Sequence, residues 1–230
     1  MKRLSLYLMT SAFLLLGSLT FQSCLNDWDS DNNNSYLTIG TLKIIQGKDY
    51  YFNLDDGNKM YPGDTTYVHN YALVDGQRTF IYYRPLDEKI SGYEYNAQIF
   101  EIENILTKDI IPLTTATADS IGDDPINATK VWITGNYLNI NYQVYHSNNA
   151  DKKHMLNLVM NKTIPPSADD TQYVDLEFRH NAYNDTERVI GWGVVSFKLD
   201  AIANQLTGKK GIKIRVKTIH DGVRYVSVDF

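Results

Sequence analysis

A period of two runs through this chain and limits what it can fold into more than any other feature. Leu37, Ile39 and Thr41 alternate along one stretch; Leu138, Ile140, Tyr142 and Val144 share one face of Tyr137–Tyr145; Ile212, Ile214 and Val216 oppose Lys213, Arg215 and Lys217. Such alternation puts successive side chains on opposite faces of a strand. Between these runs stand Asp55-Asp56-Gly57-Asn58, Asp75-Gly76, Gly135-Asn136 and Asp221-Gly222, which tolerate the positive φ of tight hairpin turns. Long helical periodicity is missing, and the 17 tyrosines suit strands better than helices. The chain is therefore expected to be all-β and rich in hairpins.

The stretch from Ile110 to Asn127 has neither period and carries Pro112, Gly122, Asp123, Asp124 and Pro125, which reads as a break between domains. Five candidate strands precede it: Leu37–Gln46, Lys48–Asn53, Tyr67–Leu73, Arg78–Arg84 and Tyr93–Leu106. Five strands suit a small OB-like barrel. Seven follow: Lys130–Thr134, Tyr137–His146, His154–Met160, Tyr173–Phe178, Val189–Leu199, Gly211–Thr218 and Arg224–Asp229. Seven strands in this length suggest an immunoglobulin-like β-sandwich. The expected organisation is a barrel over 36–115, a linker over 116–128 and a sandwich over 129–230, with one helical turn at Asp200–Leu206.

The amino terminus reads as an address. Lys2 and Arg3 precede an apolar run from Leu4 to Leu19, and LTFQSC closes the segment at Cys24, the layout of a secretory signal. Thr10, Ser11, Gly17 and Ser18 interrupt the run, which is shorter than the roughly 20 apolar residues that span a bilayer. Ending in cysteine, it resembles a bacterial lipoprotein signal peptide over 1–23, with Phe21 where leucine is usual. That resemblance implies that Cys24 becomes the acylated first residue, and multiple acylation is enough to hold a chain on a membrane. Cys24 is the single cysteine, so disulfides and thiolate chemistry are excluded. Residues 24–35, LNDWDSDNNNS after the cysteine, are acidic and polar and read as a flexible tether.

Two segments carry a wider resemblance. YYFNLDDGNKMYP runs a strand into a turn and out to an aromatic-proline pair, and LEFRHNAYNDTERVIGWGVVSFKL joins a strand ending in Arg179-His180-Asn181 to one built on Gly193–Leu199. With the lipobox and acidic tether, these resemble the NigD-like lipoproteins of Bacteroidetes. The resemblance implies an N-terminal OB-like domain, a C-terminal β-sandwich and an outer-membrane location facing the cell exterior. The family is linked to bacteriocin-associated operons and supplies no catalytic residues to carry over. The tether likewise resembles the surface-export signal of such lipoproteins.

The side chains offer no catalytic residue set, no cofactor motif and no metal site. His69, His146, His154, His180 and His220 fall in separate strands or loops, and no HExxH, GxSxG, SxxK or phosphate loop exists. His146 and His154 flank one loop and could face one another across it to bridge an ion, although two polar strand ends are the plainer reading. Asp55-Asp56-Gly57-Asn58 lacks the spaced acids and terminal glutamate of a calcium loop. Lys209, Lys210, Lys213, Arg215 and Lys217 read as a charged edge that blocks strand pairing, or less readily as a patch for an anionic partner.

Net charge is −5 overall, with seven Lys+Arg against eleven Asp+Glu over 36–115 and thirteen of each over 119–230. Neither half has the basic footprint of a nucleic-acid binder. Asp64-Thr65-Thr66 and Asp119-Ser120-Ile121 match a short pattern of protein O-glycosylation, which makes Thr65 and Ser120 candidate sites. The expected function is non-catalytic: membrane-anchored through lipidated Cys24, binding or scaffolding an envelope protein. The alternative is glycan binding on a barrel face built from Tyr50, Tyr51, Tyr61, Tyr67, Tyr71, Tyr82, Tyr83, Tyr93 and Tyr95.

Overall fold

The computed structural model describes residues 35–149, 151–163, 172–185 and 189–230. Cys24, the signal and almost all of the tether lie outside them.

The first domain is a closed barrel of β1 (Tyr36–Gln46), β2 (Asp49–Leu54), β3 (Lys59–Asp64), β4 (Arg78–Pro85) and β5 (Tyr95–Asn104), in the order β1-β2-β3-β5-β4. Strand β1 closes it by pairing with both β2 and β4. Leu42, Phe52, Met60, Ile81 and Ile99 fill the interior with no exposed surface. The alternation of β2 places Phe52 and Leu54 inside and leaves Tyr51 and Asn53 on the outer face.

The third barrel strand differs from expectation. Tyr67–Leu73 is irregular, and Lys59–Asp64 takes its place despite containing Pro62. The β3–β5 register shifts between Tyr61 and Asp64, so Pro62 sits where the ladder is already broken and no donor is needed. After β3 the Asp64 carboxylate accepts from the backbone N–H and hydroxyl of Thr66, which turns the chain. Val68, Tyr71 and Leu73 still pack on the barrel core; their spacing reflects burial without strand pairing.

The second domain stacks two sheets. One holds β14 (Gly222–Asp229), β13 (Gly211–Thr218), β11 (Tyr173–Asn181), β10 (Met155–Asn161) and β7 (Ile111–Leu113) in that order; the other holds β6 (Leu106–Asp109), β12 (Val189–Lys198), β9 (Tyr137–His146) and β8 (Asn127–Thr134). Phe178 and Phe197 meet edge-on between them at 6.1 Å, in a core with Ile140, Leu158, Ile212 and Ile214. All seven expected sandwich strands form, and β6 and β7 make nine among the described residues. Three pairings, β6–β12, β7–β10 and β11–β13, are parallel. The expected helical turn is a 3-10 turn at Asp200–Ile202 continuing into a short helix at Ala203–Leu206, with Ile202 buried.

The domain boundary moves as a result. The barrel ends at Asn104, and the residues sequence reading gave to its end supply one strand to each sheet of the sandwich. The 116–128 stretch is a packed part of the second domain. Helix α1 (Ala118–Ile121) sets Ile121 against Leu113 and Val159, and Ile126 is fully buried in the main core. Asp123 is held by Arg215 at 2.9 and 3.0 Å and by Arg179 at 3.1 Å.

Candidate binding surfaces

Four arrangements of polar and aromatic side chains bear on function: a buried joint between the domains, a histidine chain, an aromatic patch on the barrel and a charged sheet face.

At the joint, Arg78 is completely buried at the start of β4. Its Nη1 and Nη2 donate to the two Asp55 carboxylate oxygens at 2.6 and 2.7 Å, Nη1 also reaches Thr41 Oγ1 at 3.1 Å, and Nη2 reaches Asn139 Oδ1 of the sandwich at 3.1 Å. Trp132 Nε1 donates to Asp55 from β8 at 2.8 Å, and Ser196 Oγ donates to Asn139 Oδ1 at 2.7 Å. Tyr137 stacks its ring 5.4 Å from the guanidinium and donates its hydroxyl to the Gly76 carbonyl at 2.8 Å. The turn acid Asp55 is thus the hub between domains. Its sequence context reads only as a hairpin, because nothing local marks a carboxylate that will meet an arginine and a tryptophan far along the chain.

The histidine chain runs inside one end of the sandwich. His180 Nδ1 donates to the Pro125 carbonyl at 3.1 Å, which fixes its tautomer and leaves Nε2 to accept from His154 Nδ1 at 2.9 Å. His154 Nε2 stands 3.3 Å from Asp185, whose buried carboxylate accepts from the Ser147 N–H and hydroxyl and from Lys152. Burial pushes the His180 imidazole below its usual range, opposed by the Pro125 carbonyl. His146 does not join His154. Its Nδ1 accepts from the Asn148 N–H, and its ring covers Gly191. Among the described residues no group of three or more His, Cys, Asp and Glu is placed to hold a metal.

The tyrosines divide. Tyr50 is buried, and Tyr71, Tyr83 and Tyr95 pack on the barrel core; desolvation raises the phenols of Tyr50 and Tyr83 to about 12. Tyr51, Tyr61 and Tyr93 cluster on the outer β2–β3 face, with centroids 5.6 Å from Tyr51 to Tyr93 and 5.2 Å from Tyr61 to Tyr93. Lys59 Nζ lies 5.7 Å from the Tyr51 ring, and Asp49 and Glu94 border the cluster. Tyr67 instead meets Phe100 at 5.6 Å, under Arg84. Burial raises the Tyr82 phenol, with smaller contributions from the nearby Glu103 and Glu101 carboxylates.

The basic run does not guard an edge. Strand β13 lies between β11 and β14, and three cations of the run are engaged by neighbours: Arg215 binds Asp123, Lys210 binds Asp229 at 3.0 Å, and Lys213 covers the Tyr225 ring at 5.6 Å. Alternation alone cannot say whether a strand is central or outer. Of the candidate glycosylation sites, Thr65 is exposed in the turn after β3, whereas Ser120, also exposed, donates its hydroxyl to the Thr117 carbonyl within α1.

The profile of the NigD-like N-terminal OB domain matches residues 39–105, and that of the NigD-like C-terminal beta sandwich domain matches residues 109–230. The chain belongs to the NigD-like family. Both matches place the domain break where the barrel ends. Among solved structures, this NigD-like chain is similar to a protein of unknown function from Bacteroides vulgatus (28% identity, 85% of this chain, 90% of that one, TM-score 0.72). It is also similar to a candidate toxin-related protein from Parabacteroides distasonis (28%, 85% and 93%, TM-score 0.66). A NigD-like immunity protein from Bacteroides caccae shares the fold at 19% identity, over 86% of this chain and 94% of that one, with TM-score 0.62. No curated protein matches the chain significantly.

Proposed function

We propose that this NigD-like chain is a non-catalytic lipoprotein of the outer membrane, held through acylated Cys24 with its domains facing the cell exterior, that binds or scaffolds an envelope protein. The observation that carries this reading is the joint: Arg78, Asp55, Trp132 and Asn139 tie barrel to sandwich through buried, charge-assisted bonds. Two domains fixed this way present one shared surface to a partner without an ordering cost at binding. Similarity to structures described as toxin-related and as an immunity protein supports a role in a bacteriocin-associated system. Affinity capture of the tagged protein from native outer membranes, against a Cys24→Ala control, tests it. An envelope protein that co-purifies only with the lipidated form supports the reading; identical recoveries from both sink it.

A second reading is favoured by the Tyr51, Tyr61 and Tyr93 cluster, since OB folds bind oligosaccharides on the strand 2–3 face. Aromatic planes there would stack on sugar faces, with Asp49, Lys59 and Glu94 as hydrogen-bonding rim. Calorimetric titration with oligosaccharides from the host's own surface polysaccharide distinguishes the two. Heat that disappears in Tyr93→Ala selects this reading, and heat unchanged by it removes the tyrosine face from consideration.

A further inference from the structure

Strands β1, β4 and β5 run side by side, and their registers set Leu37, Tyr82 and Glu101 in one row and Ile39, Phe80 and Glu103 in the next. Between these rows lie Thr38, Ile81 and Ile102, of which Ile81 and Ile102 are buried in the barrel core. Alternation therefore turns both flanking rows outward. Leu37, Ile39, Phe80 and Tyr82 pack against none of the hydrophobic cores among the described residues. The row after Ile39 and Phe80 is Thr41 with Arg78, which the sandwich covers through Asn139. The apolar rows thus continue the joint's own sheet face past the point where the second domain shields it. Strand carboxylates elsewhere are held: Asp64 by Gln98, Asp109 by Lys198, Glu177 by Arg179 and Asp229 by Lys210. Glu101 and Glu103 are exposed and join no ion pair among the described residues.

We infer that this β1–β4–β5 face docks a cationic amphipathic segment of a partner protein, with its apolar side chains on Leu37, Ile39, Phe80 and Tyr82 and its lysines or arginines on Glu101 and Glu103. Charge complementarity selects that occupant, because like charges brought together at a contact reject a partner. A second copy of the face would set glutamate against glutamate, and the chain's own stretch over 24–35, with Asp27, Asp29 and Asp31, has the same sign. The spacing also fits. Carboxylates two residues apart on a strand stand ~7 Å apart, a span that two long cationic side chains one helical turn apart, ~5.4 Å in rise, meet by splaying slightly. The surface and its chemistry belong to the partner-binding role proposed above and rest on that reading. Failure of the lipidation-dependent capture removes the role, whereas failure of the titration below removes this surface alone.

The test titrates the mature chain from residue 24, made soluble by Cys24→Ala, with a helical peptide of leucine and lysine and a matched peptide of leucine and glutamate, by calorimetry at low salt. The lysine peptide is expected to bind and the glutamate peptide not. Glu101→Gln combined with Glu103→Gln is expected to weaken the lysine peptide about tenfold, in line with the loss of two exposed ion pairs. Phe80→Thr, which keeps a strand-forming residue on an outward position, is expected to weaken it with the melting temperature unchanged. Asp87→Asn combined with Glu88→Gln, exposed acids of the β4–β5 loop, should leave the affinity as it is. No binding, equal affinity for the two peptides, no loss in the Glu101 and Glu103 double variant, or the same loss in both double variants overturns the inference. So does a dimer of the chain alone that disappears in Phe80→Thr, which would assign the face to a second copy.

Discussion

Arg78 at the start of β4 and Asp55 in the β2–β3 turn meet end-on, each guanidinium Nη atom on one carboxylate oxygen, with the arginine wholly buried and the aspartate side chain 17% exposed. Removing one partner of such a pair strands the other's charge, which costs roughly 3–5 kcal/mol. Asp55→Ala is therefore expected to lose that much in chemical denaturation. Asp55→Leu combined with Arg78→Met is expected to lose less than either single change, because no charge is left buried. A double variant as unstable as the sum of the singles would contradict this account.

Trp132 reports on the same carboxylate from the other domain. Trp132→Phe keeps the ring but deletes a hydrogen bond to a charged acceptor, a loss of about 1.5–3 kcal/mol. The cost should appear as weakened coupling: calorimetry is expected to resolve separate barrel and sandwich transitions where the native chain gives one.

The histidine chain predicts a pH dependence. Burial lowers His180 in the fold, while an unfolded histidine titrates near 6.5. Below about 6.5 the unfolded chain binds more protons than the folded one, so stability falls with acidification and is fully present above that pH, with a slope of at most ~1.4 kcal/mol per pH unit from this group. The groups facing His180 are His154, Asp185 and Lys152 along the chain and Asp124 from the preceding segment. Urea midpoints from pH 7.5 to 5 should fall in the native chain and stay flatter in His180→Gln; parallel curves would remove His180 as the cause.

Gly122 closes α1 at φ +78°, where an added Cβ would stand 2.8 Å from the His180 carbonyl oxygen and from Asn181 Cβ. The backbone of β11 cannot give way there without losing the Asp124 N–H bond to that same carbonyl. Gly122→Ala is expected to cost about 2–3 kcal/mol through strain at a left-handed position and a steric clash. A melting temperature within a degree of native would contradict it.

Much of this architecture was legible in the sequence because sandwich strands have one buried and one wet face. Ile212, Ile214 and Val216 are buried and alternate with the partly exposed Lys213, Arg215 and Lys217 in β13 as they do in the chain. The barrel's third strand was hidden by Pro62, which argues against pairing unless the ladder is already interrupted. The domain boundary was hidden because β6 and β7 are four and three residues long, too short to show a period. Long-range polar pairing left no trace at all: Asp55 looks like a turn residue, and His154 finds His180 rather than His146 because strand order, not spacing, brings them together.

The division of labour at residues 105–113 sets where this protein can be cut. Leu106–Asp109 and Ile111–Leu113 flank Ile110, which enters the core, and each lines one outer edge of the sandwich. Scission after Asn104 returns a sandwich with both sheets whole. Scission at residue 116 strips one strand from each, baring the ladders of Val195–Lys198 and Val159–Asn161 to whatever chain is nearby. A protease nick at the first position would release a folded domain, and one at the second would release a seed for aggregation.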